Sequence, residues 1–414
     1  MNTATTANIQ NNNPTAFYHL PGLFEFYELY RIFLPLFRKH REYFYDWCEI
    51  GSIYGAPSDC IWGGGRTSFG YSDPEDVLDL VREYGISARL TFSNSLLREE
   101  HLTDKKCNEL CKMFEHASDT DNSPHTHQLQ NGVIVHSELL LNYLQKNYPD
   151  LYLISSTTKV LTDFQDFLTE INREDFRYIV PDFRLNKVFD KLDLMSQHQK
   201  DKVEFLCNEC CWFGCKDRKT CYESVSQKNL GNSAPEFHCA SPDGGNGYRF
   251  SKAMENPGFI SVDDIQNIYM PMGFSNFKIE GRGLGSALIL EFLLYYIGEY
   301  WDILQKQEYL FINIKGDTAG KPMKVDSVYD MFGRMEKKTG IKITPHMLRR
   351  YYANTRWEAD WPMEMISQAL GHKHLDTTIR YLNVLDDKLR EASQEFYRRY
   401  SNLYNVNQFL ESRR

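Results

Sequence analysis

No apolar run in these 414 residues approaches the length a membrane-spanning helix requires, although 42% of them are hydrophobic and 25% charged. No membrane partner is expected. The opening stretch "MNTATTANIQNNNPTAF" is polar and Asn-rich and lacks the charged and apolar regions of a secretion signal, so residues 1–14 read as a disordered lead-in and the protein as cytoplasmic. A basic excess is missing too, and the net charge of -9 excludes a uniformly basic nucleic-acid binder. There is no internal repeat and no Ser-His-Asp or Cys-His protease arrangement. Ten cysteines are too few in so long a chain for a disulfide scaffold.

What is present is divided. The chain is too long for one typical domain and long enough for two filled cores. From Gln307 to Arg414 there are 18 Lys+Arg against 14 Asp+Glu, a balance of +4, which leaves -13 on the first 306 residues. Polyanion contacts therefore belong to the C-terminal part.

Eight β-rich runs recur before that point: "YDWCEIGSIYG", "ARLTFSNS", "GVIVHSE", "LYLISST", "RYIVPDF", "KVEFLCNE", "GFISVDDIQ" and "NFKIEGR". Helical patterns such as "PEDVLDLVREYG" and "SELLLNYLQKNYP" lie between them, the alternation of βαβ units. The fold class is α/β, a (β/α)8 TIM-like barrel over residues 15–306, with a doubly wound open sheet as the alternative. The apolar "LGSALILEFLLYYIGEYWDILQ" is expected to pack on the barrel exterior. Residues 307–414 then read as mainly α-helical, with helices in "VDSVYDMFGRMEKKTG", "TPHMLRRYYANTRWE" and "PMEMISQALG" and a long charged helix from Leu385 to about Tyr400. Thr344 before Pro345 is a helix start, a capping hydroxyl followed by proline at the first helical position. Pro362 and Gly371 bracket the next helix.

His346 and Arg349, three apart on one predicted helix, can face one ligand. His372 follows Arg349 by 23 residues and Tyr381 follows His372 by 9. This set, "HMLRR", "LGH" and a lone tyrosine, resembles the tyrosine recombinase (phage integrase) family, and "HMLRRYYANTRW" with "ALGHKHLDTTIRYLNV" resembles the transposase A proteins in particular. The resemblance covers about the last hundred residues. It implies a tyrosine recombinase catalytic fragment that needs no cofactor, acts on double-stranded DNA, and works as a homo-oligomer there. Tyr381 would attack a phosphodiester to give a 3′-phosphotyrosyl link. Arg349 would clamp phosphate oxygens with its planar fork, and His346 and His372 would supply hydrogen bonds and proton transfer. Arg350, Arg356, Lys373 and Arg380 either hold flanking phosphates or form a solvated face. The family also carries an arginine and a lysine well upstream. Arg282 in "GRGLGSALILEF" lies only 64 residues before His346, too close to fill that place, and Lys315 and Lys321 are no better placed. The recombinase part reads as truncated.

"NFKIEGR" places Arg282 elsewhere. With "VEFLCNECCWFGCKDRKTC" it resembles the collagenase-like peptidase family, over about residues 15–305. That family includes iron-sulfur proteins. Cys207, Cys210, Cys211, Cys215, Cys221 and Cys239 put six thiols within 33 positions, and thiolates suit an iron-sulfur cluster or zinc. The expected ligands are Cys211, Cys215 and Cys239, with Cys221 or Cys60 as the fourth. The alternative is a set of buried cysteines without metal. Glu280 and Arg282 are either a site pair or a barrel-interior ion pair. "GGGR", Gly63–Arg66, reads as a flexible loop, though its amides are able to bind phosphate.

Overall fold

The computed structural model describes residues 15–65, 72–116, 130–232, 237–242, 244, 250–301, 313, 316–319, 321–358, 361–372, 377–378 and 382. The expected lead-in, residues 1–14, and the expected helix from Leu385 to Tyr400 lie outside them. The chain divides into two compact units, residues 1–302 and 303–414.

The first unit is a ring of eight parallel strands, β1 (Ala16–Pro21), β2 (Cys48–Gly55), β3 (Ser87–Phe92), β4 (Gly132–Val135), β5 (Tyr152–Ser155), β6 (Tyr178–Ile179), β7 (Glu204–Leu206) and β8 (Asn276–Lys278). Their hydrogen-bonded order is β6-β5-β4-β3-β2-β1-β8-β7. A single parallel bridge between Ile179 and Val203 brings β6 to the start of β7, so the order is cyclic and the barrel nearly closed. This excludes the open doubly wound sheet. Each strand is followed by a helix: α1 (Tyr27–Lys39), α2 (Pro74–Glu83), α3 (Lys105–His116), α4 (Glu138–Asn147), α5 (Phe164–Ile171), α6 (Gln197–Lys202), α7 (Arg218–Asn229) and α8 (Ser286–Tyr296). The apolar stripes of α1 and α8 pack into the main core outside the strands, through Phe33, Leu34 and Phe37 on one and Ile289, Phe292 and Leu293 on the other. A second, smaller apolar layer lies among residues of β2, β4, β5 and β7 with Val180: Tyr54, Ile134, Ile154 and Leu206.

One strand expectation fails and one strand was not expected. "GFISVDDIQ" is not a strand. Ser261 accepts from the Asp264 amide while the Asp264 carboxylate accepts from the Ser261 amide, and this capping box turns the chain into the helical turn Val262–Asp264. The eighth strand is instead β1, whose short "AFYHLP" follows directly on the Asn-rich tract.

Beneath the apolar layer the barrel holds a buried polar one. Glu204 on β7 has no exposed surface, and its two oxygens accept from Arg89 Nη1 at 2.5 Å and from Lys278 Nζ at 2.9 Å. His19 Nε2 stands 3.6 Å from the same carboxylate, and the His19 ring also meets Ser52 Oγ at 2.8 Å and Asn276 Oδ1 at 3.3 Å. Arg89 donates from Nε to Tyr152 Oη at 2.8 Å. One carboxylate thus ties β1, β3, β7 and β8 across the interior. Removing it leaves two buried cations unpaired, so Glu204→Gln is expected to cost about 3–5 kcal/mol of stability in urea unfolding; a loss below about 1 kcal/mol would show that the layer does not hold the ring.

Burial and the Arg89 charge push His19 down to about 3, and burial with the Lys159 charge pushes His136 to about 4. Both imidazoles are neutral in the fold and take a proton on unfolding below pH 6.5. The unfolded chain then binds more protons, so stability is full above pH 6.5 and falls as the pH drops toward 4. Between pH 6.5 and 4.5 the double variant His19→Gln, His136→Gln is expected to flatten this slope in denaturant melts, and an unchanged slope would assign it to other groups.

In the second unit, α9 (Val325–Thr339), α10 (Pro345–Glu358) and α11 (Met363–Ala369) occupy the three expected helical segments. Thr344 caps α10 by accepting from the Met347 amide at 3.2 Å. Ala353, Ile366, Leu370 and Leu382 form a small core, edged by Tyr352, Trp357, Trp361 and Met363. No residue of α9 is buried, and its Val325 and Tyr329 are exposed. Among the described residues no helix is long and apolar enough to cross a membrane.

Candidate functional site

The recombinase-like motif is assembled at the junction of α10 and α11. Helical spacing puts His346 and Arg349 one turn apart on α10. Helix α11 ends at Leu370, and Gly371 takes the left-handed conformation (φ 66°) that turns the chain toward His372. Arg349 Nη2 donates to the Leu370 carbonyl, so the guanidinium of the first motif is anchored to the Leu-Gly-His of the second. His372 is set by its amide bond to the Ser367 carbonyl at 3.0 Å and by the contact of Nδ1 with Thr378 Oγ1 at 2.8 Å. Desolvation and the Arg349 charge lower its pKa, which favours the neutral imidazole. Residues 23 apart in sequence thus meet in one place. Arg350 is exposed on α10. Arg356 has a different setting: its guanidinium lies 4.9 Å from the Tyr352 ring and 5.2 Å from the Trp361 ring, and its buried Nε has no hydrogen-bond partner among the described residues. The half-buried cation thus stacks against two rings of its own unit. Tyr381, Lys373 and Arg380 lie outside the described residues, as does Lys315. Leu382, next to Tyr381, is packed in the small core.

The barrel has its own site. A cavity of about 280 Å³ opens where the strands end, lined by Tyr54, Thr91, Ser93, Ile134, Thr158, Val180, Leu206, Cys210, Lys278, Glu280 and Arg282 among others. This is the C-terminal face, where barrels of this type place their chemistry. Gly63–Gly65 sit against it: a Cβ on Gly64 would fall 2.3 Å from the Ser93 carbonyl oxygen, so only glycine fits that approach; Arg66 lies outside the described residues. Lys278 lies at the cavity floor with Nζ 3.7 Å from the centre of the Tyr54 ring, and burial lowers its pKa to about 8 despite Glu204. Arg282, just past β8, donates to Glu25 Oε1 at 2.8 Å and to the Ala56 carbonyl at 3.1 Å. It belongs to the barrel. Glu280 accepts from the Cys210 amide at 3.0 Å.

The expected thiolate set is not brought together. All ten cysteines are free, Cys215 is buried, Cys211 and Cys221 are half-buried and Cys239 is exposed. Among the described residues no three of Cys211, Cys215, Cys221 and Cys239 come within ligand reach of one another. Cys60 is likewise elsewhere, its thiol against that of Cys107 in the main core. As placed, these residues do not fit a cluster or a tetrahedral zinc. The group that does converge is Glu209, Cys210 and Glu280, with ligand atoms all within 4.8 Å. Glu209, whose carboxylate is bound by the buried Arg218, and Lys278 and Glu204 are not among the residues expected from the sequence. The available signal was charge inside β-rich runs: "KVEFLCNE" and "NFKIEGR" carry ionic residues where a doubly covered strand should be apolar.

Comparison with known proteins separates the two units. The phage integrase family matches residues 284–388, a span that begins at the start of α8 and runs through the α10–α11 junction. Transposase A from transposon Tn554 of Staphylococcus aureus is 33% identical over 114 residues, 27% of this chain and 30% of the relative. Tyrosine recombinase XerA of Pyrococcus horikoshii is 32% identical over 87 residues, 21% of this chain and 30% of the relative. The chain therefore spans about a third of the length of these relatives. The solved U32 peptidase Mk0906 is matched over 67% of this chain and 97% of its own, at 13% identity and a TM-score of 0.39, and the barrel architecture rests on the strand order above instead. Over residues 284–388 this chain carries a partial tyrosine recombinase (phage integrase) domain, homologous to transposase A and XerA.

Proposed function

We propose that the C-terminal unit binds duplex DNA at the α10–α11 junction and that Tyr381 is the nucleophile of a slow recombinase-type cleavage, in a cytoplasmic protein that oligomerises on DNA. The observation that supports this reading is the Arg349 contact with the Leu370 carbonyl, which ties the helix of His346 and Arg349 to the Leu-Gly-His turn. In the step, the neutral His372 imidazole takes the Tyr381 phenol proton as the phenol oxygen attacks phosphorus, the bond to the 5′ oxygen breaks, and that proton passes to the leaving 5′ oxygen. Arg349 holds the phosphoryl oxygens as charge grows on them. The family's upstream arginine has no counterpart at family spacing, because Arg282 is engaged by Glu25 in the barrel. Loss of one such clamp lowers the rate by roughly a hundredfold or more.

The barrel supports a second reading, an enzyme acting on a small molecule at the mouth that Lys278, Glu280 and Arg282 line. In that case the recombinase segment is a remnant.

Incubation of the full-length chain with a pool of nicked duplexes tests the first reading. A trace of denaturant-resistant protein-DNA adduct is expected, absent from Tyr381→Phe and reduced roughly a hundredfold in Arg349→Ala. DNA binding without any adduct would reduce the unit to a non-cleaving DNA-binding protein. An adduct that persists in Tyr381→Phe would displace Tyr381 as the nucleophile.

A further inference from the structure

We infer that the barrel mouth is a binding site for a single divalent transition-metal ion, held by Glu209, Cys210 and Glu280. The three residues come from the ends of adjacent strands, two just past β7 and one just past β8, and their ligand atoms lie within 4.8 Å of one another. Both carboxylates are already oriented. The Cys211 amide donates to Glu209 Oε1 at 2.9 Å, Arg218 holds the other Glu209 oxygen, and the Cys210 amide donates to Glu280 Oε1 at 3.0 Å. The Cys210 thiol itself donates to Glu209 Oε1 at 3.6 Å, a contact that a metal ion would replace as the thiol gives up its proton, while the outer partners fix ligand direction.

A second observation points to an occupant. Thr91 Oγ1 and Ser93 Oγ, in residues 7% and 1% exposed, line the same cavity and have no hydrogen-bond partner among the described residues. Buried hydroxyls in native proteins are normally satisfied, so these two mark room for a ligand's polar atoms. The cavity's own cations do not supply them, since Lys278 is engaged by Glu204 and Arg282 by Glu25.

The donor set selects the ion. One thiolate with two carboxylates suits Zn²⁺, Fe²⁺ or Co²⁺, whereas Mg²⁺ and Ca²⁺ take oxygen ligands alone. Three protein ligands leave a coordination position toward the cavity for water or substrate, the arrangement of catalytic rather than structural sites. This site is separate from the thiols of Cys211, Cys215, Cys221 and Cys239, and it stands whether or not the C-terminal unit cleaves DNA.

Cobalt(II) titration of the metal-free, full-length protein tests it. One equivalent is expected to bind with a thiolate-to-cobalt charge-transfer band. Cys210→Ser should abolish the band, and Glu280→Gln, which keeps the side chain's shape, should weaken binding at least tenfold with the circular dichroism melt unchanged. Cys215→Ser should leave band and affinity intact. A band that survives Cys210→Ser but vanishes in Cys215→Ser would move the metal to the other cysteines. Absence of stoichiometric binding by the unaltered protein would overturn the proposal.

Discussion

Glu204 keeps its charge at the centre of the barrel because Arg89, Lys278 and His19 surround it, and most of what the first unit does follows from that arrangement. A carboxylate with no exposed surface is tolerable only when its lone pairs are filled by cations or donors. Here the donors arrive from strands on both sides of the ring, so the interaction fixes register as well as charge. Lys278 is the link to the cavity: the bond to Glu204 holds its ammonium under the Tyr54 ring, and the next residues of the chain carry Glu280 and Arg282 to the mouth. The fold and the candidate metal site are thus consecutive consequences of one short stretch, Asn276–Arg282.

The second unit is organised on a smaller scale. Four buried residues hold α10 against α11, and the Arg349 bond to the Leu370 carbonyl spans the same junction. The chain matches about a third of each relative, and α9 leaves Val325 and Tyr329 exposed. The matched span includes His346, Arg349 and His372, the residues proposed to contact phosphate. The charge division in the sequence, +4 beyond residue 306 and -13 before it, has its physical reading in those proposed contacts.

Much of this was legible beforehand, and the misses share a cause. Seven of the eight strands were visible because β-rich runs between helical patterns survive in parallel barrels, and α10 was visible from Thr344 and Pro345. β1 was not, since six residues containing a buried histidine carry little periodic signal. "GFISVDDIQ" misled because its apolar residues obscure a Ser-Asp capping box that only the backbone turn reveals. The site followed the same rule. The spacing of His346 and Arg349 put both on one helix, as found, whereas cysteine spacing carries no signal for which thiol meets Glu209 and Glu280. Cys210, the thiol that meets Glu209 and Glu280, depends on β7 and β8 being neighbours, and strand adjacency is not written in local sequence.

The central claim is that the reunited motif contacts phosphate, and the salt dependence of DNA affinity measures this most directly. For the full-length protein the logarithm of the binding constant should fall linearly with the logarithm of salt concentration, and Arg349→Ala should reduce the slope by about 0.9, the value of one phosphate contact. A slope near zero, or one that Arg349→Ala leaves unchanged, would contradict the account.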